Sequence, residues 1–265
     1  MFDVLTDLHA LYQEHGITTG KLYQESMQNA LGPQLAYATP AMYGVTATVL
    51  SSRRMVAYNL TQNAIDEAKG AARIQIIADR YADPEFHKKM TRHVGEELKH
   101  SKQFKALVQA TGYETLDEYI EKQIAEEVLD FEDGLKPFIC RVHSIELRSW
   151  TVLRIYQQIL RERRFPDLSD DALPVLENIM ADEINHVVYT GEQIDLWLRE
   201  DPALQTVFDE CLEHTNRETW QDISSMTAWL ATNFEVVFGD SDVSAADVPK
   251  SRFLVGELTP DVTLT

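Results

Sequence analysis

Two cysteines in 265 residues are too few for a disulfide framework, and they never stand as Cys-x-x-Cys, which excludes a rubredoxin-type or thioredoxin-type site. No uncharged apolar run approaches the roughly 18 residues that a transmembrane helix needs. Basic residues are scarce too: 24 Lys+Arg against 43 Asp+Glu leave a net charge of −19. Nucleic-acid affinity comes largely from Lys and Arg displacing counterions from phosphates, so no nucleic-acid partner is expected unless one face is locally basic. The opening stretch MFDVLTDLHALYQEHG is acidic, with neither a basic start nor an apolar core, and does not read as a signal peptide. These absences describe a soluble protein of a reducing, cytoplasmic compartment with no membrane attachment.

Glycine (11) and proline (9) are few, and the prolines sit mostly at the edges of segments. Between them the pattern has the period of a helix and no convincing alternating strand, so the expected fold class is all-α. Residues 3–30 read as one or two short amphipathic helices broken near Gly16, followed by a Gly32-Pro33 turn. An Ala-rich stretch from about 40 to 81 reads as one long helix. Asp83-Pro84-Glu85 is a start signal, with Asp as N-cap and Pro at the first helical position, for a helix ending near Thr111-Gly112. Thr115 and Glu118 form a capping box that opens a shorter helix to about 131. Past Gly134 and Pro137 a long helix runs to about Arg164, Phe165-Pro166-Asp167 breaks it, and another spans roughly 170–199. Asp201-Pro202 introduces the last helix, to about 237. Residues 1–237 are thus expected as a single helical domain with its core at about 40–199, and 238–265 as a polar tail. The breaks at 82–84 and 165–169 allow only antiparallel hairpins, whereas the stretch between the hairpins is long enough to cross the length of a bundle. Two hairpins joined by one long crossover make the ferritin-like four-helix bundle, here with extra N- and C-terminal helices.

Of the eight histidines, two have Glu three residues earlier: Glu97-Leu-Lys-His100 and Glu183-Ile-Asn-His186. The count alone is weak, but the positions are informative, because i and i+3 share a helix face and each pair falls in the second helix of its hairpin. The partner helices offer Glu67 and Glu146, each among small or apolar residues. Each half of the chain therefore reads Glu, a hairpin's length, then acid-Glu-x-x-His: Glu67 to Glu96-Glu97-x-x-His100, and Glu146 to Asp182-Glu183-x-x-His186. One Glu from each of two helices plus Glu-x-x-His from each of two others is the pattern of a dinuclear carboxylate site. Four carboxylates balance two divalent ions, and two imidazoles complete a mixed oxygen and nitrogen shell suited to Fe or Mn.

On these residues the chain resembles the ferritin-like di-iron carboxylate superfamily over about 55–199. The stretch DEINHVVYTGEQIDLWL and the order of motifs are similar to the aldehyde-deformylating oxygenases, and the doubled spacing more distantly resembles the arylamine N-oxygenases. The resemblance implies Glu67, Glu97, His100, Glu146, Glu183 and His186 as metal ligands. It further implies that the acid before each motif Glu bonds the histidine of the other motif, Asp182 to His100 and Glu96 to His186. Tyrosyl-radical reductases carry Tyr four residues after the first motif His, where this chain has Phe104, and N-oxygenases carry an extra ligand His where it has Ile179. Gly70 and Ala71, one turn after Glu67, leave room beside the metals or serve close helix packing, while Asn63, one turn before Glu67, either orients a ligand or faces solvent. His143, one turn before Glu146, reads as a packed or surface histidine before a further ligand or proton donor. Cys140-x-x-His143 and Cys211-x-x-His214 only imitate a zinc set.

The expected activity is O2-dependent oxidation, by a non-haem di-iron oxygenase or oxidase, of a small, largely apolar metabolite or acyl-chain compound. Two Fe ions are the expected cofactor, with Mn/Fe equally suited to the ligands. No flavin, haem or iron–sulfur motif is present, so turnover needs an external reductant such as a ferredoxin, for which the Arg161–Arg164 cluster is a candidate docking patch. A homodimer is one assembly this reading allows. The alternative is an iron-handling ferroxidase, and a ferritin-like tRNA hydroxylase is disfavoured by the charge of −19.

Overall fold

A computed structural model describes residues 2–32, 34–112, 134–163, 168–233 and 235. Among them are eight α-helices and no strand: α1 Val4–Glu14, α2 Lys21–Ala30, α3 Pro40–Leu50, α4 Arg53–Tyr81, α5 Pro84–Ala110, α6 Leu135–Arg163, α7 Ser169–Glu200 and α8 Leu204–Thr232. The all-α expectation therefore holds. The expected helix at 115–131, the Phe165-Pro166-Asp167 break and the tail lie outside the described residues.

The turn between α4 and α5 is built as its residues dictate. Asp83 is extended, its carboxylate accepts from the backbone N–H of Glu85 at 2.9 Å and of Phe86 at 3.0 Å, and Pro84 starts the helix. The two helices that this turn joins, α4 and α5, lie side by side, as do α6 and α7. Further contacts of α5 with α7 and of α4 with α6 close the four into a ring, a helical bundle with one inward stripe from each member. Ile74, Ile77, Met90, Phe104, Leu147, Ile159, Ile179 and Val187 are all buried there. Each such side chain taken from water stabilises the fold by about 1.5–3 kcal/mol before chain entropy is counted.

One expectation is corrected. The stretch 40–81 is two helices, because Ser51 bonds its own preceding turn through Thr48 O at 2.7 Å and Ser52 turns extended to accept from Met55 N–H. Serines that offer the backbone such local partners compete with an uninterrupted helix and favour a cap. The break near Gly16 is as expected: its φ of +69° is the left-handed conformation in which helices commonly end. The additions to the bundle gather on the second hairpin, with α8 along α6, α2 between α7 and α8, and α3 against α4, α6 and α8. Among the described residues no helix is long and apolar enough to cross a membrane.

Candidate metal centre

Each helix of the ring contributes to one buried cluster. Glu67 comes from α4, Glu97 and His100 from α5, Glu146 from α6, and Glu183 and His186 from α7, and none of the six is more than 6% exposed. The i, i+3 spacing puts glutamate and histidine of each motif on the inward stripe. Two overlapping groups result, Glu67, Glu97, His100 and Glu183 on one side and His93, Glu97, Glu146 and His186 on the other. Within each group one ligand atom per residue lies within 4.8 Å of all the others. Glu97 belongs to both, and Glu183 turns Oε1 toward His100 Nδ1 at 3.4 Å and Oε2 toward His186 Nδ1 at 3.7 Å.

His93 was not anticipated. It is fully buried, stacks on His186 with ring centroids 3.5 Å apart, and places Nε2 2.8 Å from Glu97 Oε1 and 3.4 Å from Glu146 Oε1. Its Nδ1 lies 2.8 Å from the Tyr189 hydroxyl. The signal is in the sequence, since position 93 is one turn before Glu97 on the same face, but His93 has Met90 rather than Glu three residues before it and so stands outside the Glu-x-x-His pattern.

Asp182 and Glu96 sit where the resemblance implied. His100 Nε2 donates to Asp182 Oδ2 at 3.0 Å, and His186 Nε2 donates to Glu96 Oε2 at 3.0 Å. A carboxylate only accepts, so both Nε2 atoms carry hydrogen, and both Nδ1 atoms point inward. Lys99 pairs with Asp182, and Arg92 Nε lies 3.5 Å from Glu96 Oε1.

Burial should raise every carboxylate here and lower every imidazole. For Glu67 burial is joined by the Glu97 charge, and it rises well above the usual carboxylate range. For Glu97 burial is outweighed by hydrogen bonds with Glu67 and His93, and for Glu146 by those with His186 and His93, so both fall to about 2. Burial of His100 is likewise overcome by Glu183 and Glu67, which lift it to about 12. Protons on the imidazoles and on Glu67 therefore supply the positive charge that makes four buried glutamates tolerable. They do not complete the geometry. His100 Nδ1, His186 Nδ1 and Glu183 Oε2 are buried with no hydrogen-bond partner, all three on atoms that face the middle of the cluster. Orphaned donors and acceptors of this kind, arranged round a common centre in an oxygen-and-nitrogen set, fit divalent cations.

A cavity of about 60 Å3 opens on the four glutamates between α4 and α6, walled by Gly70, Ile74, Phe138, Val142 and Ile145, with Lys69, Arg73 and Arg141 also lining it. A methyl group at Gly70 would meet only Glu97 Oε2, at 3.9 Å, so the glycine leaves open space beside that carboxylate. Asn63 is buried, not solvent-facing, and Phe104 and Ile179 are apolar core. Cys140 is buried and Cys211 partly so, both as free thiols, and among the described residues neither joins a cluster able to hold a metal. Trp150, Tyr156 and Trp197 are core side chains, and Arg161 is engaged with Glu177 at 2.7 Å. Comparison with known protein families, with curated proteins and with solved structures returns no match.

Proposed function

We propose that the chain is a ferritin-like di-iron oxidoreductase that activates O2 on a small, largely apolar substrate. The observation that carries this reading is the trio of orphaned inward atoms, His100 Nδ1, His186 Nδ1 and Glu183 Oε2, in a cage of four glutamates. Glu67, Glu97, His100 and Glu183 would hold one ion, and His93, Glu97, Glu146 and His186 the other. When bound, the ions would supply the O2 binding and the electrons that carbon, nitrogen and oxygen side chains lack.

The remaining roles belong to the chain. Asp182 and Glu96 hold the protons of the two Nε2 atoms, which fixes the tautomer and aims Nδ1 inward. Glu97 belongs to both halves of the cage and Glu183 turns one oxygen toward each motif histidine, so either carboxylate would be within reach of both ions. Gly70 keeps the cavity side of Glu97 open, and Ile74, Phe138, Val142 and Ile145 give the cavity an apolar wall next to the glutamates, with Lys69, Arg73 and Arg141 as its charged part. The sequence carries no flavin, haem or iron–sulfur motif, so the electrons for turnover come from an external reductant such as a ferredoxin.

The test is anaerobic loading with Fe(II), desalting, iron analysis and an absorption spectrum on admitting O2. Two irons per chain and a new near-ultraviolet or visible ligand-to-iron band are expected. No retained iron and no band would sink the reading. Iron oxidation that proceeds at full rate, with no organic compound in a broad screen changing it or being consumed, would replace the oxygenase by a ferroxidase.

A further inference from the structure

Beside the cage lies a second buried polar system. Tyr12 of α1 and Tyr23 of α2 meet hydroxyl to hydroxyl at 2.6 Å, and Tyr23 Oη is 2.8 Å from His143 Nε2 on α6. His143 Nδ1 is 2.8 Å from Thr190 Oγ1 on α7, and Thr190 donates at 2.6 Å to the backbone carbonyl of His186. None of the four side chains is more than 3% exposed. A carbonyl only accepts, so the Thr190 proton points at His186 and its oxygen accepts from His143 Nδ1–H. His143 Nε2 is then a lone pair that accepts from Tyr23 O–H, and the Tyr23 oxygen accepts from Tyr12. The chain crosses α7 at Gly191, where a methyl group would overlap the Tyr12 hydroxyl and stand 2.9 Å from Tyr23 Oη and 3.0 Å from His143 Cε1. Its inner end is one helical turn from two cage residues, His143 from Glu146 and Thr190 from His186.

A phenol bonded to a neutral imidazole differs from an ordinary buried tyrosine. Tyr156 donates to the amide oxygen of Asn59, which can accept a hydrogen bond but not a proton. Loss of an electron turns a phenol into a very strong acid, and oxidation is easy only where a base in contact takes the proton in the same event. We propose that Tyr23 is a one-electron donor to the carboxylate–histidine cage, with His143 as the proton acceptor and Tyr12 as the hydrogen-bond donor that steadies the oxidised ring. This inference rests on the metal reading above. The electron passes to a one-electron oxidant formed when the metal-loaded cage reacts with O2. The Tyr23 Oη–H bond breaks, an N–H bond forms on His143 Nε2, and the products are a phenoxyl radical and an imidazolium still bonded to Thr190 through Nδ1–H. One electron from an external one-electron reductant, with return of the proton from Nε2, restores the phenol. Burial holds His143 far below the usual histidine range, at about 3, so Nε2 stands unprotonated and ready, and the oxidised phenol is a far stronger acid than the imidazolium it forms.

The test loads the full chain anaerobically with Fe(II), measures retained iron, mixes with O2 and follows frozen samples by electron paramagnetic resonance. An organic-radical signal with phenoxyl hyperfine structure is expected. Tyr23→Phe should keep its iron and lose the signal. His143→Gln, which keeps an acceptor but not a base, should also keep iron and lose the signal. Tyr12→Phe should shorten the radical's lifetime, and Tyr156→Phe should leave it unchanged. Replacing Tyr23 alone by 3-fluorotyrosine keeps the hydrogen bonds and should add a fluorine splitting, which covers the case in which the Phe variant does not fold. Retained and oxidised iron without a radical, a signal undiminished in Tyr23→Phe, or a fluorotyrosine signal without splitting overturns the inference and leaves the metal reading standing. No retained iron overturns both.

Discussion

On α5 the residue one turn before the motif glutamate is His93; on α7 the corresponding residue is Ile179, equally buried and wholly apolar. Elsewhere the two halves agree closely. Each motif histidine turns Nδ1 to the centre, and each donates Nε2–H to an acid of the other helix at 3.0 Å. What repeats is what any pair of cations in the cage would need, four carboxylates and two braced imidazoles. What differs sets the two positions apart, because His93 gives one of them two imidazoles while the other has His100 alone. A nitrogen-richer and an oxygen-richer position side by side need not prefer the same metal.

The comparison is sharpest where the halves share a residue. Glu97 belongs to both groups, so Glu97→Gln, which keeps the shape and removes the charge, should take retained iron from two per chain to none by metal analysis. A variant that still holds one iron would show that Glu97 serves one half only. The next largest effect separates the halves. His93→Ala should lower retention to one iron. Ile179→Ala should keep both irons and instead lose about 2–5 kcal/mol of stability in denaturant unfolding, the ordinary result of truncating a packed aliphatic core residue. If His93→Ala keeps both irons, the third imidazole is packing and the halves are equivalent.

Smaller effects test the features the halves have in common. Asp182→Asn and Glu96→Gln should each weaken metal affinity by about 10–100-fold, and by similar factors, because the two braces have the same length. Competition with a chelator measures both. Acidity should act on both halves in one direction. Without metal, His100 keeps its proton up to about 12, so a cation entering at neutral pH displaces it. Metal affinity must then rise with pH across the neutral range, by about 1.4 kcal/mol per pH unit for each proton displaced. Calorimetry of metal binding in buffers of different ionisation enthalpy counts those protons, and a count of zero would contradict the protonated cage.

Much of this is legible in the sequence alone. Most of the described helices, the turn of the first hairpin and the six residues of the cage follow from caps, spacing and an internal repeat, because i, i+3 pairs and Asp-Pro starts act over one or two turns. The pairing of Asp182 with His100 and of Glu96 with His186 was legible only through a resemblance, since no local rule says which acid faces which ring across a bundle. His93 was missed because it has no motif of its own, only a shared face with Glu97. The Ser51-Ser52 break was missed because an apolar Ala-rich pattern outvoted two small residues whose preference for capping is slight until a bend is available. The chain from Tyr12 to Thr190 was illegible for a different reason. It joins residues from four helices, and only packing of the N-terminal additions on the second hairpin brings them together.

That packing is itself a difference between the halves, and the smallest predicted effect bears on it. Gly191 lies eight residues after Glu183, and the residue eight after Glu97 is Lys105. On α7 the position must be bare, because the hydroxyls of Tyr12 and Tyr23 fill the space a side chain would take. Two opposed terms decide the outcome of Gly191→Ala. Ala is favoured over Gly in a helix interior by about 1 kcal/mol. Overpacking a filled core costs about 1–3 kcal/mol, and here the obstacle is a rigid ring end tied by a hydrogen bond, which cannot swing aside as a flexible chain could. The net should be a destabilisation of about 1 kcal/mol in denaturant unfolding, where an unhindered glycine would give a gain of similar size. The same substitution in a Tyr12→Phe background removes the overlapping oxygen and should cost less, so the double-mutant cycle should show coupling between residues 12 and 191. Gly191→Ala that stabilises the protein, or costs as much with Phe at position 12 as with Tyr, would mean that α1 does not seat its tyrosine against α7 and that this distinction between the halves is not real.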